Sequence, residues 1–273
     1  MTRDSEIVDA RLLDALTLLA SQAAAAILAV TDPGLTRRDK PDRSPVTDAD
    51  EAAEAVILQG LARLMPGVPV VSEEAAGRNA PQPPGDCFVL VDPLDGTREL
   101  LAGETEFTVN IAVVSGGVPV AGVIAAPALG LLWRGHVGHG AERLRLAPGA
   151  APADASEQTA IRTRSRPARE PIAVVSRFHR DALTDGYLDR WPDVRRVVCG
   201  SSVKFCRIAE AAADLYPRMS SISEWDIAAG HALVAAAGGA MTTWDGSPLT
   251  YGRPGFRAPG FIAVGDRTAP IVR

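Results

Sequence analysis

Segments with strand-like and helix-like patterns alternate along this chain, and one hairpin region rich in Val and Ile interrupts the alternation. Apolar residues recur at helical spacing from Ile7 to Ile27, and a second helix pattern follows the letters PVTDAD. Strand patterns occur at VPVVSEE, at CFVLVDP and through the span from Thr108 to Trp133. This alternation favours an α+β fold in which sheets and helices are packed in layers.

The second half of the chain continues the alternation. PIAVVS and RRVVC are strand patterns on either side of a helix pattern, and GSSVKFCRIAEAAADLYPR predicts a serine-capped helix that runs to a proline stop. WDIAAGHALVAAAGG predicts a helix capped by Asp226 and ended by Gly238 and Gly239. Residues 147–170 read as a surface connection with one short strand near Thr159. We therefore expect two halves, 1–146 and 171–273, packed as one compact unit.

The bulk composition excludes several classes of protein. The chain has 273 residues, 47% hydrophobic and 22% charged, which is typical of a globular protein. A net charge of -5 provides no basic field for nucleic acid. An odd number of cysteines, Cys87, Cys199 and Cys206, without zinc-type spacing predicts free thiols and a cytoplasmic location. No uninterrupted run of 18 apolar residues predicts a membrane span, although peripheral membrane association stays open.

Acidic residues lie at the ends of predicted elements in separate parts of the chain: Glu73, Asp92, Asp95 and Asp226, with Asp50 as a fifth candidate. Hard divalent cations take oxygen ligands, and Mg2+ binds through a few carboxylates while keeping waters and substrate oxygens. Each acid also has a structural interpretation, because carboxylates at helix N-termini act as caps and charged pairs at strand ends are often solvated. The residues alone leave both interpretations open.

The stretch VDPLDGT concentrates this chemistry. Pro93 fixes its own backbone angle and Gly96 permits a sharp turn, so the segment can aim Asp92, the Leu94 carbonyl and Asp95 at one point. The alternative is an ordinary tight turn, since Asp, Pro and Gly are common turn residues. The hydroxyl of the next residue, a threonine, favours the first interpretation because it can orient a metal-bound water.

The order of six motifs then gives a resemblance. PVTDAD, VVSEE, VDPLDGTRE, FTVNIAVV, GSSVKFC and EWDIAAGHALVAAAGG, from Pro45 to Gly239, resemble the Mg2+-dependent, Li+-sensitive phosphatase superfamily that includes inositol monophosphatase. The resemblance implies a layered αβαβα sandwich of the inositol monophosphatase and fructose-1,6-bisphosphatase type. GSSVKFCRIAEAAADLYPR and WDIAAGHA are similar to the bacterial 3'(2'),5'-bisphosphate nucleotidases of that superfamily. MSSIS, from Met219 to Ser223, departs from the family pattern, and Ile222 stands where a hydroxyl is usual.

The resemblance also implies roles for individual residues. Its Mg2+ ligands correspond to Glu73, Asp92, the carbonyl of Leu94, Asp95 and Asp226. Asp50 and Thr97 correspond to the catalytic pair that positions and deprotonates the attacking water, so hydrolysis is expected to be direct. The substrate-binding set implied around the scissile phosphate comprises Glu73, Leu94, Asp95, Gly96, Thr97 and Asp226.

Substrate choice is expected from the second half. Ser201, Ser202 and Lys204 lie at a predicted helix N-terminus, which is suited to an anion. The resemblance implies that His179 and Arg218 add contacts to a 5'-phosphate or ribose. Their structural alternatives are helix caps for the serines, a solvated lysine and an arginine paired with a helix C-terminus.

The expected activity is hydrolysis of the 3'-phosphate of adenosine 3',5'-bisphosphate, and of its 5'-phosphosulfate analogue. An inositol or sugar phosphate monoesterase with the same metal core is the enzymatic alternative, and a non-catalytic nucleotide- or metal-binding module is a third hypothesis. We expect a small nucleotide bisphosphate as the partner, no nucleic acid, no membrane span, and either a monomer or a homodimer.

Overall fold

A computed structural model of the chain describes residues 8–31, 36–39, 45–78, 85–165, 170–191 and 193–268. The α-helices within these ranges are Ala10–Thr31 (α1), Asp48–Leu64 (α2), Glu73–Arg78 (α3), Thr97–Leu101 (α4), Ala182–Leu188 (α5), Val203–Ala209 (α6) and Glu224–Ala236 (α7). The strands are Arg37–Asp39 (β1), Pro45–Thr47 (β2), Val70–Ser72 (β3), Cys87–Asp95 (β4), Thr108–Ser115 (β5), Val118–Ala126 (β6), Leu131–His136 (β7), Gly140–Arg145 (β8), Glu157–Ile161 (β9), Ile172–Ser176 (β10), Arg195–Cys199 (β11), Leu215–Arg218 (β12), Ile222–Ser223 (β13), Ala240–Thr243 (β14), Arg257–Ala258 (β15) and Phe261–Val264 (β16).

Two sheets dominate the fold. The larger has seven strands in the order β3-β4-β5-β6-β7-β8-β9, antiparallel except for the parallel pair β3 and β4. The smaller has five strands in the order β11-β10-β12-β16-β14. Two short ribbons, β1-β2 and β13-β15, complete the pairing. The hairpin and meander predicted from Thr108 to Trp133 are confirmed as β5, β6 and β7.

The helices and sheets stack in five layers. Alternate residues of β4 point to opposite faces, so Val89 and Val91 pack with α1 and α2, whereas Phe88 and Leu90 pack toward α6 and α7. The smaller sheet covers the other side of α6 and α7, and α5 covers its far face through Leu188. The order is helices, sheet, helices, sheet, helix, which confirms the predicted αβαβα sandwich.

Close backbone contacts fix the central helix α7 between the two sheets. A Cβ atom on Gly122 of β6 would lie 2.4 Å from the carbonyl oxygen of Ala229, and one on Gly230 would lie 2.2 Å from the ring of Phe205 in α6. Both positions therefore require glycine for the observed spacing. The first turn of α7, which carries Asp226, is held at a defined depth in the molecule.

The first helix is part of the core. By length and composition alone, α1 is apolar enough to cross a membrane, with a mean hydropathy of 1.8 over an 18-residue window. In the fold, its apolar side packs against α2 and the larger sheet, and Leu16, Leu19 and Ile27 are buried there. This is the arrangement of a core helix in a layered fold.

Two predictions about the second half are wrong in detail. The helix after GSS ends at Ala209 rather than at the proline, because the chain turns at Ala211, whose φ is +64°, and enters strand β12. Asp226 is not the cap of α7, since Ser223 holds that position and Asp226 lies in the first turn. The predicted end at Gly238 is confirmed; its φ is +105° and its N–H donates to the carbonyl of Ala235.

The segment joining the two halves contains secondary structure. Its strand β9 pairs with β8 and forms an edge of the larger sheet. The expected short strand near Thr159 is β9. The connection predicted at residues 147–170 therefore contains a strand of the larger sheet. The division of the chain into two halves stays a prediction.

Candidate active site

A pocket of about 280 Å³ opens where β4 ends and α7 begins. It is lined by residues from both halves of the chain, and acidic and basic side chains both contribute. The acidic residues in the lining are Glu73, Asp92, Asp95, Glu99 and Asp226, and the basic ones are Arg98, His179, Lys204, Arg218 and Arg257.

The end of β4 is shaped by a register shift. Strand β4 pairs with β5 in regular register up to Asp92, and the pairing shifts before it resumes at Asp95. Gly96 follows with a φ of +98°, and a Cβ atom there would lie within 3.2–3.3 Å of Phe107 and Ser201. The sharp turn predicted from Pro93 and Gly96 is therefore present, with the strain and crowding that favour glycine.

Three carboxylates converge in the pocket. Glu73 is the first residue of α3, Asp92 lies at the bulge of β4, and Asp226 lies in the first turn of α7. Each offers an oxygen, and the three oxygens lie within 4.8 Å of one another. Desolvation, together with the charges of Glu73 and Asp95, raises the pKa of Asp226 well above its ordinary value. Such a group requires a proton or a cation, so the site fits a hard divalent metal ion.

Asp95 is not a member of that three-carboxylate group. Its Oδ2 accepts hydrogen bonds from the hydroxyls of Ser201 at 2.8 Å and Ser202 at 2.9 Å. The predicted position of a serine at the cap is confirmed, since Ser202 is the cap residue of α6, but its side chain makes no capping hydrogen bond. Both hydroxyls reach across to the acid of the other half, and a direct contact between these serines and substrate stays a prediction.

The predicted catalytic pair is in contact. Thr97 Oγ1 donates to Asp50 Oδ1 at 3.0 Å. The other carboxylate oxygen of Asp50 accepts from both the N–H and the hydroxyl of Thr47 at 2.7 Å, which forms the capping box of α2. Asp50 is buried, and the capping box fixes the oxygen that faces Thr97. The structural interpretation of Asp50 as part of a cap is therefore confirmed, and its catalytic role stays a prediction.

Lys204 is buried rather than solvated. Its Nζ donates to the carbonyl of Ser201 at 2.5 Å and to that of Cys199 at 3.4 Å, and it lies 5.3 Å from the centre of the Tyr216 ring. The ammonium group still lines the pocket. Its assignment to substrate stays a prediction, whereas its contact with the Ser201 carbonyl is observed.

Arg218 has an unsatisfied donor. Its Nε is buried and has no hydrogen-bond partner among the described residues, although native proteins rarely leave such a group unpaired. Desolvation and the charges of Arg218 and Arg98 lower the pKa of His179, so the imidazole lies in a cationic part of the pocket. Arg218 is thus available to a ligand.

Three charged residues of the lining were not predicted as part of the site. Arg98 and Glu99 directly follow Thr97 and have no role in the chemistry predicted from the sequence, yet both line the pocket. Burial, together with the charge of Asp95, raises the pKa of Glu99. Arg257 lies on β15, thirty-one residues after Asp226, and gives no motif signal by which sequence reasoning could find it.

The MSSIS segment is held by a short ribbon. Ile222 and Ser223 form β13, which pairs with β15 through Ile222 to Ala258 and Ser223 to Arg257. The guanidinium of Arg257 also donates to the Ser223 hydroxyl at 3.0 Å. Ile222 is buried, so the apolar residue at this position packs into the core beside the start of α7.

Comparison with known proteins agrees with this geometry. A relative in Escherichia coli (strain K12), named 3'(2'),5'-bisphosphate nucleotidase CysQ, is 41% identical over 263 residues, which covers 92% of this chain and 98% of the relative. A histidinol-phosphatase of Mycobacterium tuberculosis is 34% identical over 218 residues, covering 78% of this chain and 79% of the relative.

Solved structures show the same fold. The crystal structure of CysQ from Bacteroides thetaiotaomicron, described as a bacterial member of the inositol monophosphatase family, aligns with a TM-score of 0.77 and 33% identity. The alignment covers 94% of this chain and 97% of the other. The model of the inositol monophosphatase family matches residues 9–268. The chain belongs to the inositol monophosphatase family.

Proposed function

We propose that this protein is a Mg2+-dependent 3'(2'),5'-bisphosphate nucleotidase that removes the 3'-phosphate of adenosine 3',5'-bisphosphate and of its 5'-phosphosulfate analogue. One observation carries the proposal: a single pocket contains both a three-carboxylate group suited to cations and a set of cationic side chains. A substrate with one phosphate engages only the first set. The relatives named nucleotidase, at about 40% identity over most of the chain, support the same substrate class.

The acids would hold the metal. Glu73, Asp92 and Asp226 provide the oxygen set, and the resemblance adds Asp95 and the Leu94 carbonyl. Bound Mg2+ would supply charge stabilisation of the phosphate and would lower the proton affinity of a water. The choice of Mg2+ over another hard cation belongs to the proposal and is supported by the all-oxygen donor set.

Asp50 and Thr97 would handle the proton. The Thr97 hydroxyl donates to Asp50, so its oxygen is free to accept a hydrogen bond from water and pass the proton to the carboxylate. Thr97 is thus oriented as a relay rather than as a nucleophile. Direct attack by water, without a phosphoenzyme, follows from this arrangement.

The basic side chains would read the second phosphate. Arg218 contributes the buried Nε without a partner, and Lys204, His179 and Arg98 line the same pocket. Guanidinium groups bind phosphate oxygens through two parallel hydrogen bonds, which gives them an advantage over point charges. We infer that Arg218 is the principal contact to the group distal to the scissile phosphate.

Steady-state rates test the choice of substrate. The bisphosphate, its sulfated analogue and inositol 1-phosphate are compared side by side at saturating Mg2+. We expect kcat/KM to be highest for the nucleotide bisphosphates. A preference for inositol 1-phosphate would establish the monoesterase alternative, which the 34% identity to a histidinol-phosphatase keeps relevant.

Asp95→Asn tests the metal mechanism, and turnover by the wild-type protein separates an enzyme from a non-catalytic binding module. Every acid of the mechanism is present, so the sequence gives no support to the module. If the variant kept full phosphatase activity at saturating Mg2+, the metal mechanism would be refuted. Absence of turnover by the wild-type protein on all three substrates would favour the module.

The proposal includes a cytoplasmic location, supported by three cysteines that are all free thiols. The pocket is lined by residues of one copy of the chain, so the proposed activity is compatible with a monomer and with a homodimer. Sedimentation velocity distinguishes the two states.

A further inference from the structure

Two hydroxyl groups donate hydrogen bonds to a single oxygen of Asp95. Ser201 and Ser202 both donate to Oδ2, and Oδ1 makes no hydrogen bond to any described residue. The serines are 6% and 1% exposed, which leaves their hydroxyls little surface for a ligand. Ser202 also lies 3.1 Å from the carbonyl oxygen of Asp226, so the contact ties β4 to the start of both α6 and α7.

The direction of these hydrogen bonds follows from the available protons. The Asn110 amide donates to Ser202 Oγ at 2.9 Å, and an NH2 group can only donate. The single proton of Ser202 therefore goes to an acceptor, and the charged Asp95 is a stronger acceptor than the Asp226 carbonyl. Thr108 Oγ1 lies 2.5 Å from Ser201 Oγ and donates to Asn110 Oδ1 at 3.0 Å, so Thr108 joins Ser201 to the residue that donates to Ser202. The donor chain from Asn110 through Ser202 and the hydroxyl of Ser201 converge on one carboxylate.

The backbone is held to deliver these hydroxyls. Ser201 has a φ of +48°, a left-handed conformation that costs energy for a residue with a side chain. The Lys204 ammonium binds the Ser201 carbonyl, and the Gly200 N–H donates to Glu106 Oε2 at 2.8 Å. The neighbours on both sides thus impose the conformation that points the Ser201 hydroxyl toward Asp95.

We propose that Ser201 and Ser202 are positioning residues for Asp95 and not substrate ligands. They fix Oδ2 so that Oδ1 is presented to the cation. The inference rests on the proposed metal-dependent hydrolysis, and it reassigns the two serines from reading the second phosphate to ordering the metal site. Thr108 and Asn110 belong to the same network, because they form hydrogen bonds with the two serines.

Alanine variants at the two serines test the inference, with Ser21→Ala as the matched control. Ser21 is also a buried serine with two hydrogen bonds, but it lies on α1 outside the pocket. The readouts are Mn2+ affinity from electron paramagnetic resonance, and kcat and KM for adenosine 3',5'-bisphosphate and for 4-nitrophenyl phosphate. Loss of groups that orient metal ligands costs about 10–100-fold in affinity or activity. We expect that loss in Mn2+ affinity and in kcat for both substrates, with KM nearly unchanged, and no change in Ser21→Ala.

The opposite pattern would overturn the inference. If KM for the bisphosphate alone rose while Mn2+ affinity and kcat stayed at wild-type values, the serines would be substrate ligands. Unchanged values throughout would also refute it. Thr108→Val decides the matter if the serine variants fail to fold, because Thr108 does not line the pocket and is linked to Asp95 through Ser201 and through Asn110, the donor to Ser202; it should weaken Mn2+ binding without a selective change in KM.

The Mn2+ measurement needs no substrate. If the wild-type protein showed no preference for the bisphosphate, the proposed function would fail while the positioning of Asp95 was still tested.

Discussion

Substituting Asn for Asp50 exchanges one carboxylate oxygen for an NH2 group and nearly preserves the shape of the side chain. In the structure, Oδ2 accepts two hydrogen bonds from Thr47 and Oδ1 accepts one from Thr97. The asparagine carbonyl must take the side with two donors, because an NH2 group there would face the Thr47 N–H. The NH2 group then points at the Thr97 hydroxyl, which loses its proton acceptor.

The magnitude follows from what is kept and what is lost. The cap of α2 keeps an acceptor, so we expect a loss of stability below about 1 kcal/mol. General-base assistance is lost, which costs about 10²–10⁴-fold in kcat. That range corresponds to about 3–5 kcal/mol in the activation free energy. The kinetic effect therefore exceeds the stability effect several-fold.

The assay measures phosphate release at saturating Mg2+ and substrate, beside urea denaturation of the same sample. Asp48→Asn is the matched control. The substitution removes the same charge from the first turn of α2, but Asp48 pairs with Arg38 on the surface. An Asp50→Asn variant with kcat within threefold of wild type would refute the relay between Thr97 and Asp50.

Four further predictions address the cations, the buried histidine and substrate choice. Mg2+ at 100 times its Kd should stabilise the wild-type protein by about 2.7 kcal/mol, and Asp226→Asn should abolish most of that gain; equal shifts of the denaturation midpoint in both proteins would count against the acid group as the metal site. Millimolar Li+ should inhibit turnover by competing for the same oxygens, and an unaffected rate would contradict the family-type site. Burial holds the pKa of His231 at about 4, below its ordinary value of 6.5, so neutral His231 contributes stability that is fully present above pH 6.5 and is lost as the pH falls toward 4. This amounts to about 2 kcal/mol between pH 7 and pH 5, and His231→Gln should remove that pH dependence in denaturation experiments; an unchanged slope would show that other groups cause it. Lys204→Met should raise KM for the bisphosphate more than for 4-nitrophenyl phosphate, whereas equal losses for the two substrates would show that Lys204 only holds the Ser201 carbonyl.

The acids were predictable because local chemistry marks them. A continuous apolar run that ends in Asp, Pro and Gly predicts a buried strand with a turn at its C-terminal end, and β4 has both features. Asp50 and Thr97 lie 47 residues apart, and only the family resemblance paired them. The distance of 3.0 Å between their side-chain oxygens confirms that they are in contact, and their roles in catalysis stay a prediction.

Tertiary structure overrode local propensity in the second half. The letters EAAAD after Arg207 have high helix propensity, yet the helix ends before them because the next residues must pair with β10 and β16 in the smaller sheet. Ser202 has the residue type and the position of a cap, but its hydroxyl is directed to Asp95 and accepts from the Asn110 amide instead of from a helix N–H group. Arg257 escaped prediction because an arginine on a short ribbon carries no periodicity and no motif.

The close packing of the central helix α7, against Gly122 of β6 on one side and through its own Gly230 against Phe205 on the other, has a consequence for how such proteins diversify. The close contacts at Gly122 and Gly230 fix the position of α7 between the sheets. The position of Asp226 is therefore determined by interior packing and is insensitive to changes at the surface. By contrast, Arg98, His179 and Arg257 lie on exposed segments. Under the proposed function, the two parts of the site can therefore change independently: exposed basic residues can be replaced, and the preferred phosphate ester with them, while the acidic centre is kept.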